Sequence, residues 1–391
     1  MFKRDGEMGT VVVLGGGGYE GSVVAGKLAG QPDIERVILA DRNKKRADRA
    51  AADIGEKAEG RYADLDDEPG LIEVIKQADI LVNMIGPFFI HGTKALRAAI
   101  TAGRDYVDIA DDWDVTRELL ALNEEAGDAG ITALINMGSS PGLLNVFAKR
   151  AAGVLDTVDE IRIAWCAHYV GGKGGPSAGL HSFHMMEGMV PQYLEGDWVD
   201  VVPGTGRELV DFAAGPVECF FVGHPEPLTL PLYIDGVKEA VNKGAILPPW
   251  VSEDMFKMIE FGLGSGKPIK IRGETQVIPI EVALRLQAAY LEHRDLGEPK
   301  GGFQTRVTGV KDGRKTIITY DLPAKMSSEE MGEATACPAA AGTLMVLRGD
   351  YSEKGVSAPE AMDAKRFLDV VSGIGIKWIE EVSEADDKGS K

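Results

Sequence analysis

Val11–Gly21 reads VVVLGGGGYEG, and this stretch decides the fold. An apolar run of strand length, Val11–Leu14, meets a block of glycines and then a helical pattern from Gly21 to Leu28. Gly16, Gly18 and Gly21 satisfy the spacing GxGxxG. The first glycine serves a tight turn, the second lets backbone approach a pyrophosphate, and the third lets helix and strand pack closely. Such a pyrophosphate sits on the helix N-terminus, where amides and the helix dipole favour anions, so Tyr19 and Glu20 count with the cofactor-binding residues. The next apolar strand, Val37–Ala40, runs into Asp41, 20 residues beyond Gly21. An acidic residue there binds ribose hydroxyls and favours NAD over NADP. Arg42 beside it can stack on adenine or pair a phosphate, which keeps NADP open. The competing reading is a glycine-rich turn without a ligand.

Working outward, strands and helices alternate. Ile80–Ile85, Tyr106–Ile109 and Thr132–Asn136 read as strands apolar on both faces. Lys44–Ile54, Leu71–Gln77, Gly92–Ala102 and Val115–Ala126 read as helices. That pattern predicts an α/β fold with a Rossmann-type, doubly wound parallel sheet. Beyond Arg150 the strand-like runs Glu160–Tyr169, Glu218–Val222, Gly302–Val310 and Lys315–Asp321 lie without regular helices between them. Lys311-Asp312-Gly313-Arg314 joins the last two as a hairpin. A second, α+β domain with a mixed or antiparallel sheet is expected, with Gly171–Gly179 as a glycine-rich loop inside it. The expected boundaries are 1–145 for the dinucleotide-binding domain and 146–350 for a second, substrate domain. Residues 351–391 form a segment returning to the first domain, with helical periodicity over Ala361–Ile379.

Composition narrows the function. The 391 residues carry 42 basic and 61 acidic side chains, a net charge of −19. That surface repels nucleic acid and anionic membranes, so neither is an expected partner. The start, MFKRDGEMGT, is polar and Val11–Leu14 is too short for a signal peptide or a membrane span. Cys166, Cys219 and Cys337 show no CxxC spacing, which argues against a disulfide framework or zinc ribbon and for a reducing, cytoplasmic setting. Cys166 and Cys219 read as buried, inert thiols.

Further candidates follow the sheet's carboxyl edge. Asp64 can accept from the adenine amino group or cap a helix. Gly86 and Pro87, with Phe88, end the Ile80–Ile85 strand where ribose and nicotinamide approach. Asp108, Asp111 and Asp112 can hold a substrate ammonium, Asp108 as a catalytic group, or can cap the next helix. Ser139, Ser140 and Gly142 lie where the switch-point rule places a ligand, and equally where Pro141 would start a helix. His181 and His184, three apart, share a face if helical and can serve as base and substrate orienter. No third ligand joins them, so no metal is expected. Lys173 can meet a substrate carboxylate or be a solvated loop lysine. Arg207, Arg272 and Arg306 are alternatives for that contact.

Several stretches together resemble the saccharopine dehydrogenase-like family, which includes bacterial lysine 6-dehydrogenase: GGGGYEGS (15–22), ADILVNMIGPFF (78–89), AAITAGRDYVDIADD (98–112), MGSSPGLLNVFA (137–148), VGHPEPLTLP (222–231) and KGVSAPE (354–360). The resemblance implies an NAD(P)-dependent dehydrogenase or reductase working at a carbon–nitrogen bond of a small amine or amino acid, as a homodimer. It brings His224 forward through GHPEP without naming its role. Saccharopine-forming reductases carry an acid just before the Pro-Gly of SSPG, and here that residue is Ser140. The leading expectation is oxidation of a CH–NH2 group of the lysine 6-dehydrogenase kind. The alternatives are an NADPH-dependent reductase joining an amine to a carbonyl compound, as in saccharopine or carboxynorspermidine formation, and a sensor that binds NAD without turnover.

Overall fold

In β1 (Gly9–Leu14), Val11, Val12 and Val13 are fully buried, as a strand covered on both faces requires. This is a computed structural model, and it describes residues 8–169, 175–322 and 328–384. From β1 the chain runs through α1 (Tyr19–Ala29), β2 (Ile34–Asp41), α2 (Lys44–Ile54), β3 (Ala58–Tyr62), α3 (Glu68–Ile75), β4 (Ile80–Asn83) and α4 (Phe88–Ala102). It continues through β5 (Asp105–Asp108), α5 (Trp113–Leu120), α6 (Asn123–Asp128), β6 (Thr132–Leu134) and α7 (Leu143–Ala152). Every pairing is parallel, in the order β6-β5-β4-β1-β2-β3. The order reverses between β1 and β4, so the crevice for a ligand opens beyond their carboxyl ends.

Local chemistry sets the element ends. Asn43 caps α2 by accepting from Arg46 N at 3.2 Å, and Asp67 caps α3 by accepting from Gly70 N at 3.2 Å. Gly103 ends α4 in the left-handed region (φ 63°), a conformation a side chain would strain. The helix expected over Val115–Ala126 is two helices. The chain turns at Ala121–Leu122, and Leu119, Leu122 and Ala126 are all buried.

The second unit holds β7 (Thr157–His168), α8 (Gly175–His184), β8 (Val190–Leu194), β9 (Asp197–Val201), β10 (Glu208–Phe212), β11 (Gly215–Phe221), α9 (Glu226–Tyr233) and β12 (Glu239–Leu247). Then come α10 (Pro249–Glu260), β13 (Ile269–Arg272), β14 (Thr275–Val277), α11 (Pro279–Leu291), β15 (Gly302–Lys311) and β16 (Arg314–Leu322). The sheet is mixed: β12 pairs β7 in parallel, while β15 pairs both β7 and β16 antiparallel. Asp312 and Gly313, both with positive φ, turn the β15–β16 hairpin where the Asp-Gly pair placed it. Gly175–Gly179 are not loop but the first turns of α8; the rest of the expected glycine loop lies outside the described residues.

The chain then returns to the first unit earlier than expected. Among the described residues, 331–377 belong with 8–150, and 378–384 with the second unit. The return expected at residue 351 thus lies at Met331 in this division, and the described residues from Trp378 to Glu384 go with the second unit. The reason is α12 (Ser328–Arg348). From Ala334 to Val346 it is apolar on nearly all sides, so no amphipathic period marked it. It lies so close to β6 that a Cβ on Gly342 would come within 3.2 Å of Leu134 Cδ2. β17 (Gly355–Ser357) then pairs parallel to β6, making a sheet of seven strands among the described residues. α13 (Ala364–Gly373) follows, and β18 (Ile379–Glu384) pairs antiparallel to β16.

Candidate functional site

The fingerprint loop is built as the glycine spacing requires. Gly15 has φ 73°, and a Cβ on Gly21 would lie 2.3 Å from the Gly15 carbonyl oxygen. A Cβ on Gly16 would meet Leu39 Cα at 2.8 Å. The N-cap of α1, Gly18, brings no side-chain oxygen to the helix start, which suits a phosphate in that place. Tyr19 lies against α12, since a Cβ on Gly332 would come within 2.4 Å of its ring. Glu20 is exposed in the first turn of α1.

Asp41 ends β2 and is held on both oxygens. Oδ2 accepts from Gly17 N at 3.2 Å, and Oδ1 accepts from Asn43 N at 2.7 Å. Its carboxylate thus ties the glycine loop to the turn that starts α2, and Arg46 Nε fixes the same loop by donating to Gly17 O. Arg42 is exposed. Asp64 accepts from Asp66 N at 3.0 Å in the turn ahead of α3, while Asp67 makes the helix cap. Gly86 and Pro87 form the connection between β4 and α4, and the buried Phe88 begins that helix.

A buried polar network holds the edge beyond β4, β5 and β6. Asn83 Nδ2 donates to Tyr106 OH at 3.2 Å, and that hydroxyl donates to Asp108 Oδ2 at 2.9 Å. Asp108 Oδ1 accepts from Ala110 N at 3.0 Å and Asn136 N at 2.8 Å. Asn136, at φ 61°, donates through Nδ2 to Ala110 O and Thr116 Oγ1. Asp108 is wholly buried, and burial lifts its carboxyl to about 6 against the hydrogen bonds that lower it. Its oxygens are spent on the chain's own donors. This placement speaks for a positioning residue rather than the ammonium-binding or catalytic role considered from sequence. Asp112 caps a helix, but across the fold, with Oδ2 accepting from Phe89 N at 2.8 Å in the first turn of α4. Asp111 is half-buried in the same connection.

The loop after β6 carries the serine candidates. Gly142 has φ 126°, and a Cβ there would fall 2.0 Å from Gly138 O, so the turn admits glycine alone. Gly142 N donates to Asn145 Oδ1 at 2.9 Å, and Asn145 Nδ2 donates to the fully buried Glu360 at 2.7 Å. Ser139 is buried, and its Oγ, like Asn136 Oδ1, lacks a partner among the described residues. Two polar atoms in reserve at the carboxyl edge fit a bound polar group. Ser140 is half-buried next to them. Tyr106, Asn136, Asn145 and Glu360 were missed from sequence. The available signal was a polar residue inside an otherwise apolar run, as in ITALINMG (131–138).

In the second unit, His181 and His184 lie on α8 as the i,i+3 reading required. His181 meets the ring of His224 edge-on, with centroids 5.3 Å apart, and His224 meets Trp165 at 5.4 Å. His224 is 3% exposed, and its Nδ1 lies 3.4 Å from Oε2 of the buried Glu226. GHPEP therefore supplies a buried histidine–carboxylate pair beside His181. Arg207 is engaged by Glu218 at 2.9 Å and Glu253 at 2.7 Å, Arg272 is exposed on β13, and Arg306 is half-buried on β15. Lys173 lies outside the described residues. Burial raises the Cys166 thiol to about 12 and pushes Cys219 up as well, in keeping with inert cysteines. No helix among the described residues is long and apolar enough to cross a membrane.

Comparison with known proteins bears on the kind of enzyme and on the fold. The family model described as the saccharopine dehydrogenase NADP binding domain matches residues 11–134. Carboxyaminopropylagmatine dehydrogenase of Synechocystis sp. is 26% identical over 96% of this chain and 98% of its own. Carboxynorspermidine synthase of Vibrio cholerae is 24% identical over 94% of this chain and 96% of its own. Among solved structures, apo saccharopine dehydrogenase (L-Glu forming) from Saccharomyces cerevisiae superposes with a TM-score of 0.69. At 16% identity, covering 96% of this chain and 100% of that one, it shows the shared fold. Residues 11–134 are thus similar to the saccharopine dehydrogenase NADP binding domain, and the chain is an NAD(P)-dependent oxidoreductase similar over its length to enzymes named for amine chemistry.

Proposed function

We propose that this enzyme joins a primary amine of a diamine or polyamine to the aldehyde of an amino-acid semialdehyde by reduction. The observation that carries the reading is the full-length match to two relatives named for carboxylated polyamines. Such a product disconnects at its secondary amine into a polyamine and a carbonyl compound bearing the carboxylate. This moves the reading away from oxidation of a simple amino acid, the leading expectation from sequence. Ser140 in place of an acid before Pro141-Gly142 also departs from the saccharopine-forming pattern.

In the reaction the amine nitrogen attacks the carbonyl carbon, water leaves, and the imine accepts a hydride at carbon and a proton at nitrogen. A nicotinamide cofactor, when held by the fingerprint loop, would supply that hydride. The chain's own residues hold and orient. Gly16, Gly18, Gly21 and the start of α1 take the pyrophosphate, with Asp41 keeping the loop in shape. Ser139 Oγ and Asn136 Oδ1 are suited to the polar edge of a group at the carboxyl end of β6. His181, backed by His224 and Glu226, is the candidate for proton transfer, with His184 as substrate orienter. For the cofactor we propose NADPH over NADH. Asp41 spends both oxygens on backbone amides, and exposed Arg42 beside it can pair a 2′-phosphate.

The test is oxidation of NADPH and NADH, followed by absorbance, with agmatine or a short aliphatic diamine and an amino-acid semialdehyde. Turnover that requires both substrates, with a secondary amine found by mass spectrometry, is the expected result. NAD+ reduction by a single amino acid, with no condensation, would return the reading to amine oxidation.

A further inference from the structure

At the carboxyl end of β6, Asn136 Oδ1 and Ser139 Oγ are buried without a partner among the described residues. Asn136 is fully buried and Ser139 is 4% exposed. A buried polar atom left unpaired costs stability, and a ligand that pairs it recovers that cost. The surroundings fix what each atom can do. Asn136 Nδ2 donates to Ala110 O at 2.7 Å and to Thr116 Oγ1 at 2.9 Å. The Thr116 hydroxyl spends its own hydrogen on Asp112 O at 3.0 Å, so toward Asn136 it can only accept. The orientation of the Asn136 amide follows, and Oδ1 is left as a pure acceptor. The Ser139 hydroxyl keeps a hydrogen to donate.

Both residues stand on backbone that is tied down. Asn136 N donates to Asp108 Oδ1 at 2.8 Å, and Met137 N donates to Asp108 O at 2.7 Å. On the far side of the loop, Leu144 N donates to Ser139 O at 3.0 Å. β6 belongs to the half of the sheet formed with β4 and β5, across β1 from β2 and its Asp41. In a doubly wound sheet one half takes the adenosine end of a dinucleotide and the other half takes the nicotinamide end.

We propose that Asn136 and Ser139 bind the carboxamide of the nicotinamide: Asn136 Oδ1 accepts from its amino group, and Ser139 Oγ donates to its carbonyl oxygen. The assignment rests on the reading that gives this edge to a bound polar group, and on no choice of substrate. A primary amide offers a donor and an acceptor side by side, which is what the two atoms call for. A phosphate or a carboxylate has no hydrogen for Asn136 Oδ1. An ammonium has no acceptor for the Ser139 hydrogen and would bring a charge to two neutral, buried partners. A carboxamide held at both edges fixes the rotation of the ring, so that one face of the nicotinamide is presented for hydride transfer.

The experiment is calorimetric titration of the full chain with the reduced dinucleotide and two ring analogues, each with and without the 2′-phosphate. In one analogue an acetyl group replaces the carboxamide, which removes the amino donor and keeps the carbonyl. In the other a thioamide replaces it, which keeps the donor and weakens the acceptor. The wild type should bind the carboxamide form at least about tenfold more tightly than the acetyl form, because Asn136 Oδ1 is then left unpaired, and about fivefold more tightly than the thioamide. Ser139→Ala should weaken the carboxamide form about fivefold, lose the preference over the thioamide and keep the preference over the acetyl form. Its urea unfolding midpoint without cofactor should not fall, since the hydroxyl has no partner to lose. Equal wild-type binding of the carboxamide and either analogue would overturn the proposal. So would wild-type affinity in Ser139→Ala, a weakening that leaves the thioamide preference intact, or a lowered midpoint, which would give Ser139 a structural role instead. No second substrate enters these titrations, so they hold or fail separately from the condensation reading.

Discussion

The carboxyl edge of the first sheet and the Trp165 cluster of the second both bury polar side chains, but they assemble them from different distances along the chain. At the edge, Asn83 on β4, Tyr106 and Asp108 on β5 and Asn136 just after β6 stand on neighbours in the sheet order, and their hydrogen bonds link β4 to β5 and β5 to the end of β6. In the second unit, Trp165 on β7 donates through Nε1 to Asn242 on β12 at 3.1 Å and packs so closely on Gly244 that a Cβ there would overlap its ring. His181 reaches the same cluster from α8, and His224 from the loop ahead of α9. The first arrangement is a property of parallel strand–helix units, which always bring their strand ends to one edge. The second depends on how strands distant in sequence are paired.

The sharpest way to break the first half of that comparison is Gly21→Ala. The added Cβ would meet the Gly15 carbonyl oxygen at 2.3 Å, and neither backbone can give way without opening the fingerprint loop. We expect cofactor binding to fall by at least about a hundredfold and stability to drop by about 1–3 kcal/mol, as overpacking does. Nucleotide fluorescence titration and urea unfolding measure the two. Wild-type affinity would mean that the loop's shape does not set the cofactor site.

The difference also explains what could be read in advance. GGGGYEG, the strand ends at Asp41, Asn83 and Asp108, and the Asp-Gly hairpin are local patterns, and the structure keeps them in place. The identities at the edge were harder. Asp108 looked like a ligand-facing carboxylate because sequence shows strand position but not burial. The claim of Glu360 on Asn145 spans 215 residues and left no local trace. The same holds for α12: its all-round apolar surface is explained only by the sheet it lies on. The groups around Trp165 come from strands whose order, β12-β7-β15, has no counterpart in chain order.

The next effect in size concerns Asp108 and its pH dependence. Burial opposes the charge and pushes its carboxyl up to about 6 in the folded chain, from the ordinary 3.8 of an unfolded one. A raised acid contributes stability that is fully present below about pH 4 and is lost as pH rises toward 6. At 1.36 kcal/mol per unit, that contribution is on the order of 3 kcal/mol. Asp108→Asn removes the titration, so the variant's stability should rise relative to wild type as pH increases from 4 to 6. Chemical unfolding at a series of pH values checks this. Parallel wild-type and variant curves would show that Asp108 keeps its ordinary carboxyl range despite its burial.

A smaller effect separates the two nucleotides. If Arg42 pairs a 2′-phosphate, Arg42→Ala should weaken NADPH about tenfold, the ~1.4 kcal/mol of one exposed charge-assisted contact, and leave NADH within about twofold. Equal losses for both would favour stacking on adenine. Loss for neither would return Asp41, with its ribose contact, to the leading position.

The smallest effect is expected at Arg207, one of the arginines that sequence alone offers as a carboxylate contact in the second unit. Its guanidinium already serves Glu218 and Glu253, with the Phe220 ring 5.5 Å away. Arg207 is 40% exposed and its partners 55% and 45%, so water competes for each pair. Exposed pairs of this kind contribute about 0.2–1 kcal/mol. Arg207→Ala should therefore cost less than about 1 kcal/mol in urea unfolding. If Arg207 has no part in the substrate site, the KM for the carboxylate-bearing substrate stays at its wild-type value. A KM raised tenfold with stability intact would place a substrate carboxylate at Arg207, and the second unit's site would then extend from the histidines to β10 and α10.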